Sequence, residues 1–249
     1  MSPRRSITID AVQAADRLRR QVARLQFGPP VTHVYSPLRY AWGNHARYLE
    51  RFALPPKRAV FFGMNPGPWG MAQTGVPFGD AAIVRDWLQL DLPVGRPDDE
   101  HPKRPIEGTT CRRSEVSGTR LWGAIRQRFG RPERFFEHFF IANYCPLSFM
   151  VASGRNHTPD KLPAAEREPL FARCDEHLRA VVEYLRPRHV IGVGAFAEGR
   201  IRAALVGRGD IVVGRILHPS PASPAANSDW SGTVGRQLAE LGLCSSGRP

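Results

Sequence analysis

Apolar residues recur at helical spacing early in the chain, at Val12, Ala15, Leu18, Val22 and Leu25. Arg17, Arg19, Arg20 and Arg24 fall on the polar side, which predicts a helix over 9–26. Four short apolar runs read instead as buried strands: Ala59-Val-Phe-Phe62, Phe139-Phe-Ile-Ala142, His189-Val-Ile191, and Ile211-Val-Val213 continuing to Leu217. Helical patterns lie among them, over roughly 117–128, 165–185, 195–205 and 230–242. Strands alternating with helices imply a mostly parallel sheet covered on both faces. Pro, Gly and Arg are enriched from Leu92 to Gly108, which reads as a long surface excursion. Ser245 to Pro249 reads as a frayed tail. The expected organisation is one domain over 1–249.

Each strand is followed by a polar turn rich in Gly or Pro. After the first comes Gly63-Met-Asn-Pro-Gly-Pro68, after the second Asn143-Tyr-Cys-Pro146, after the third Gly192-Val-Gly194, and after the last His218-Pro-Ser-Pro221. These turns would sit at the carboxyl ends of parallel strands, where open α/β sheets bind ligands. Asn65, Asn143 and His218 are therefore expected to converge on one cleft.

Charge narrows the ligand. Lys plus Arg number 35 against 23 Asp plus Glu, a formal net charge of +12. That excess points to a polyanion, with nucleic acid ahead of a membrane surface. Its Arg-dominated makeup also fits a coding bias and suggests a bacterial chain. The four cysteines, Cys111, Cys145, Cys174 and Cys244, form no CxxC pair, which disfavours a zinc or iron–sulfur site and suits a reducing compartment. No apolar run approaches the ~20 residues of a membrane span. The two arginines of the first six residues precede no apolar stretch, so no signal peptide is expected. The expected location is cytoplasmic, or nuclear in a eukaryote.

The residues at the turns suggest particular chemistry. Asn65 lies in a stretch dense in Gly and Pro, where glycine admits close backbone approach and proline stiffens the path. An Asn can orient a water or read a polar edge but cannot act as a general base; alone, it equally satisfies its own turn. Phe78 can stack on a planar base or belong to the core. Asn143 can read a heterocycle edge with one donor and one acceptor, or cap local backbone. His218 can donate to developing negative charge, or be structural. Gly192-Val-Gly-Ala-Phe-Ala197 with Asp210 matches a dinucleotide pattern on paper. It comes late in the chain, with one strand behind it, so the glycines read better as close strand–helix packing.

The stretch from Gly63 to Gly79, together with His218-Pro-Ser-Pro221 and Asn227, resembles the two signature motifs of the single-strand-selective monofunctional uracil-DNA glycosylases. His101-Pro-Lys-Arg-Pro105, Ser114-Glu-Val-Ser-Gly118, Asn143-Tyr-Cys-Pro146 and Ser153-Gly-Arg-Asn156 extend the resemblance over about 35–243. It implies the uracil-DNA glycosylase fold, a three-layer α/β/α sandwich with a central, mainly parallel four-stranded sheet. It also implies roles. Asn65 would position the water, Phe78 stack on the flipped uracil, Asn143 read its edge and His218 stabilise charge on the departing base. Met64 would line the pocket with its backbone amide. Gly67 would stand where strictly uracil-specific relatives carry a bulky residue, leaving room for 5-substituted uracils such as 5-hydroxymethyluracil. Pro219, Ser220, Pro221, Ala222 and Asn227 would contact DNA in the segment that wedges into a duplex. Ala222 departs from the Arg that vertebrate members carry there.

The resemblance further implies excision to an abasic site, with no cofactor or metal, by a protein expected to be monomeric on single-stranded or duplex DNA and to bind no membrane. Neither signature motif contains a Lys for Schiff-base chemistry. The alternatives are a relative with substantial xanthine or hypoxanthine activity, and a DNA-damage binding protein without catalysis.

Overall fold

The computed structural model describes residues 9–243, so the expected tail at 245–249 and Cys244 lie outside the described residues. The α-helices among the described residues are α1 (Ala11–Val22), α2 (Pro37–Tyr40), α3 (Trp42–Phe52), α4 (Met71–Thr74), α5 (Val116–Phe129), α6 (Pro132–Phe136), α7 (Ala164–Leu185), α8 (Ala195–Ala204) and α9 (Pro224–Glu240). The strands are β1 (His33–Tyr35), β2 (Ala59–Gly63), β3 (Phe139–Asn143), β4 (Ser148–Met150), β5 (Asn156–His157), β6 (His189–Val193) and β7 (Val212–Ile216).

The central sheet runs in the order β3-β2-β6-β7, all parallel. Every residue of β2, β3 and β6 is buried, which is why their sequences are continuous apolar runs rather than alternating ones. The fourth strand differs from expectation. β7 is a sheet edge, and its Val212 and Arg215 are exposed. Alternate residues of β3 serve opposite layers. Phe139 and Ile141 face a groove bounded by α5 and α9, whereas Phe140 and Ala142 face α1, α3 and α7.

Local signals explain the layers. Asp10 and Gln13 form a reciprocal capping box at the start of α1, whose apolar stripe Ala11, Ala14, Ala15, Leu18 and Val22 is buried. The helix ends earlier than its periodicity suggested. α9 starts earlier than the predicted 230–242, as a short turn from Pro224 that breaks at Asp229 (φ −154°, ψ 80°). Asp229 then caps the longer segment, its Oδ1 accepting from Gly232 N at 2.8 Å.

A second, antiparallel sheet, β1-β4-β5, was not legible in the sequence. Its strands have three, three and two residues, too short for a period to show. It alters the picture of the 92–108 excursion. That segment lacks regular structure up to Gly108 but is anchored: His101 and Ile106 are buried, and the Tyr35 hydroxyl donates to Arg104 O and accepts from His101 N, both at 2.8 Å.

In the strand order, β2 lies between β3 and β6, so the chain leaves it in one direction for β3 and returns past it to β6. The reversal opens a crevice at the carboxyl ends of β2 and β6.

Candidate active site

The turn after β2 begins at Gly63, whose neighbours explain why it carries no side chain. A Cβ there would fall well inside contact with Asn143 Oδ1 and 2.6 Å from the Phe78 ring. Gly63 is thus the floor on which Asn143 and Phe78 meet. The two strand ends are also tied beyond the sheet, Tyr144 N donating to Gly63 O at 2.9 Å and Cys145 N to Met64 O at 2.8 Å.

Asn143, at the end of β3, is 8% exposed. Its Nδ2 reaches Met71 Sδ at 3.2 Å, a weak acceptor, and its buried Oδ1 has no partner. A buried amide with so much unused capacity is costly unless something else uses it. A water-sized cavity of about 20 Å³, lined by His45, Met71 and His177 among others, lies beside it.

Phe78 is buried and holds φ +55°, a left-handed conformation rare for an aromatic. Packing enforces it. Trp122 Nε1 donates to Pro77 O at 3.2 Å, Asp80 N donates to Phe78 O at 2.9 Å, and α5 presses Gly118 against that same carbonyl so closely that a Cβ would collide with it.

The Phe78 ring centroid lies 6.1 Å from that of His218, which follows β7. His218 Nδ1 accepts from Ser220 N at 3.1 Å, so in the neutral ring the proton sits on Nε2. Burial lowers its pKa below the usual 6.5, keeping the ring neutral at pH 7. Asn65 donates from Nδ2 to Leu147 O at 3.2 Å, which leaves its Oδ1 as an acceptor. Met64 and Gly67, in the same turn, are half-buried.

The segment after His218 is a braced loop. Pro219 is buried, Ser220 half-buried, and Pro221 and Ala222 exposed at the tip. Ala222 N donates to Ser220 Oγ at 3.2 Å and Ser223 N to Ser220 O at 3.0 Å. Asn227 is exposed, yet both ends of its amide are engaged: Nδ2 donates to Pro221 O at 2.8 Å, and Oδ1 accepts from Arg120 at 2.9 Å. Arg120 also donates to Pro219 O at 3.2 Å. The sequence reading missed Arg120, because nothing local distinguishes it from the other α5 arginines. Arg104 and Arg113 lie over the ring of Trp69, which belongs to the turn after β2, 5.1 and 4.5 Å from its centroid.

Phe78, Asn143, Gly63 and His218 are thus brought together directly. Asn65, Met64 and Gly67 adjoin them through the turn, and the loop 219–222 rises from the same strand end. Gly192 has the packing role expected of it, since a Cβ there would lie 2.6 Å from Glu198 Cα.

A parallel α/β/α sheet with a buried aromatic, a buried amide and an imidazole at its strand ends fits a base-excising class of enzyme. The chain belongs to the uracil DNA glycosylase superfamily, whose family model matches residues 51–233. It is 49% identical over 240 residues to the single-strand selective monofunctional uracil DNA glycosylase of Bos taurus, covering 96% of this chain and 88% of that protein. The protein of the same name from Mus musculus is 48% identical over 240 residues, covering 96% and 86%. The crystal structure of wild-type Pedobacter heparinus SMUG2 aligns with a TM-score of 0.65 at 17% identity, over 92% of this chain and 97% of that one, a likeness of fold.

Proposed function

We propose that the protein hydrolyses the N-glycosidic bond of uracil in DNA, leaving an abasic site and an intact strand for base excision repair. The observation that carries this reading is the meeting of Asn143, Phe78 and His218 around Gly63. A planar base with donors and acceptors on one edge matches a ring to stack on, an amide with an unused Oδ1 and an Nδ2 held only by a weak sulfur acceptor, and an Nε2–H.

The target base lies inside the stack of a duplex and must be extruded, at a cost of a few kcal/mol, a requirement general to DNA glycosylases. Stacking on Phe78 and hydrogen bonds to Asn143 offset that cost. As C1′–N1 breaks, positive charge grows on the sugar and negative charge on the uracil. His218, neutral with its proton on Nε2, donates to that developing anion, together with the amide of Met64. One such donor in a dry site is worth about 3–4 kcal/mol. Asn65 holds a water through Oδ1 near C1′. It cannot take the proton, which makes the enzyme slower than one with a carboxylate there. The exposed tip Pro221-Ala222 enters the gap left by the base, and the short Ala222 gives it little reach into a stable duplex.

Acceptance of 5-substituted uracils such as 5-hydroxymethyluracil rests on the resemblance at Gly67 alone, since here the space a Gly67 side chain would enter is taken by the Glu115 carboxyl. The protein acts as a monomer on DNA in the cytoplasm or nucleus. Among the described residues no helix is long and apolar enough to cross a membrane.

The test is a labelled single-stranded oligonucleotide carrying one uracil, incubated with protein and excess chelator, then treated with hot alkali. Cleavage only after alkali is the expected result. No cleavage there or in matched duplexes refutes the uracil reading; xanthine and hypoxanthine strands in the same assay then decide between another base specificity and binding without catalysis.

A further inference from the structure

Beneath the turn that carries Asn65 lies a buried acid that the reaction as derived does not use. Glu115 sits at the start of α5, its backbone fixed by Glu115 N donating to Asp80 Oδ2 at 3.1 Å and by Thr119 N donating to Glu115 O at 2.8 Å. Its side chain runs under residues 67–70. A Cβ on Gly67 would fall inside contact with both carboxyl oxygens, and one on Gly70 would lie 2.6 Å from Oε2. The turn therefore rests directly on the carboxyl, and a side chain at either position would have to displace it. Oε2 is fully enclosed and has no hydrogen-bond partner. Such a group is expensive to keep and calls for an explanation. α5 thus serves the cleft twice within four residues, with Glu115 under the Asn65 turn and Gly118 against Phe78.

We propose that Glu115 is a positioning residue for excision: its carboxylate braces the 67–70 turn and so fixes Asn65, two residues upstream, for water delivery. This rests on the glycosylase reading above. The backbone amides of Trp69 and Gly70 favour the charged form, because a carboxylate attracts an N–H more strongly than the acid does; the acid form braces the turn weakly. Burial pushes the carboxyl up to about 7, the two amides oppose that, and Asp80 adds to it. The other charged groups around the turn are the guanidiniums of Arg104 and Arg113 on Trp69.

The experiment is single-turnover excision of uracil from a single-stranded oligonucleotide by the full chain, from pH 5.5 to 9. It compares the wild type, Glu115→Gln, Glu115→Asp, Asn65→Ala and the Asn65→Ala/Glu115→Gln double variant. The wild-type rate should rise through about pH 7 as Glu115 ionises. Glu115→Gln should lose about 10- to 100-fold in rate, the scale of a small misplacement, and lose the acid limb. Its half-saturating enzyme concentration should stay within about threefold. Glu115→Asp should recover part of both rate and limb. In the Asn65→Ala background Glu115→Gln should cost nothing further, since the group it positions is gone.

Glu115→Gln with the wild-type rate and profile overturns the proposal, as does an equal loss in the Asn65→Ala background. If Glu115→Gln does not fold, an acid limb unmoved in Glu115→Asp overturns it. Wild-type protein with no uracil excision at any pH refutes the glycosylase reading and takes this proposal with it. An active wild type with an indifferent Glu115→Gln refutes this proposal alone.

Discussion

The buried Glu115 carboxyl makes a quantitative prediction about stability that is independent of catalysis. In the unfolded chain it titrates near 4.5, whereas in the folded protein burial raises it to about 7. At ~1.36 kcal/mol per pH unit, that difference amounts to about 3 kcal/mol. Below pH 4.5 both states hold the proton and there is no penalty. Between 4.5 and 7 the folded state binds more protons than the unfolded one, so this group makes stability fall as pH rises. Above 7 the loss is complete. Glu115→Gln keeps the shape and removes the titration. Urea unfolding of both proteins should therefore show Glu115→Gln gaining about 3 kcal/mol on the wild type between pH 4.5 and 8.5. Taking the difference cancels every other titrating group. A difference that does not change with pH would mean that the carboxyl is hydrated or already ionised at low pH, and would refute the account of this turn. A gain in stability accompanied by a loss of rate is the expected mark of a group retained for function.

Further outcomes follow from the same geometry. Gly63→Ala places a methyl against Asn143 Oδ1 and the Phe78 ring; it should cost 1–3 kcal/mol of stability, roughly, and about 100-fold or more in excision, read by denaturation and single-turnover rate. His218→Ala removes the donor to the departing base and should slow excision by about 10²–10³-fold with little change in DNA affinity. Because burial keeps His218 below its usual 6.5, Glu115→Gln should show a level rate from pH 8 down to about 7, and nitrogen NMR at pH 8 should report a neutral ring protonated at Nε2. Arg120→Ala frees Pro219 O and Asn227 Oδ1; it should lower excision from duplex by about tenfold while leaving single strands nearly unaffected, since only a duplex requires a rigid wedge.

The sequence by itself determined the layered class of the fold. The apolar runs at 59–62, 139–142 and 189–191 are buried on both faces, a condition that writes itself into the chain as unbroken hydrophobicity. The helical periods at 165–185 and 195–205 reappear nearly unchanged as α7 and α8, since a long amphipathic pattern has one consistent burial. The turns carrying Asn65, Asn143 and His218 were also legible, because Gly and Pro mark the ends of such strands.

Only the tertiary structure decided the strand order, and with it which turns face one another. A parallel strand carries no local record of its neighbours. The small β1-β4-β5 sheet and the buried His101 depend on partners more than a hundred and more than sixty residues away. The left-handed backbone of Phe78 is imposed by Trp122 and Gly118 from α5, against its own preference. The same holds for Asn227, whose exposed amide is held by Arg120, and for Glu115. In sequence Glu115 is one acid among 23 acidic residues; its meaning comes from the two glycines that the fold lays on its carboxyl. Composition and period record what each segment must bury. They do not record which distant groups meet, because long-range contact is a property of the folded chain as a whole.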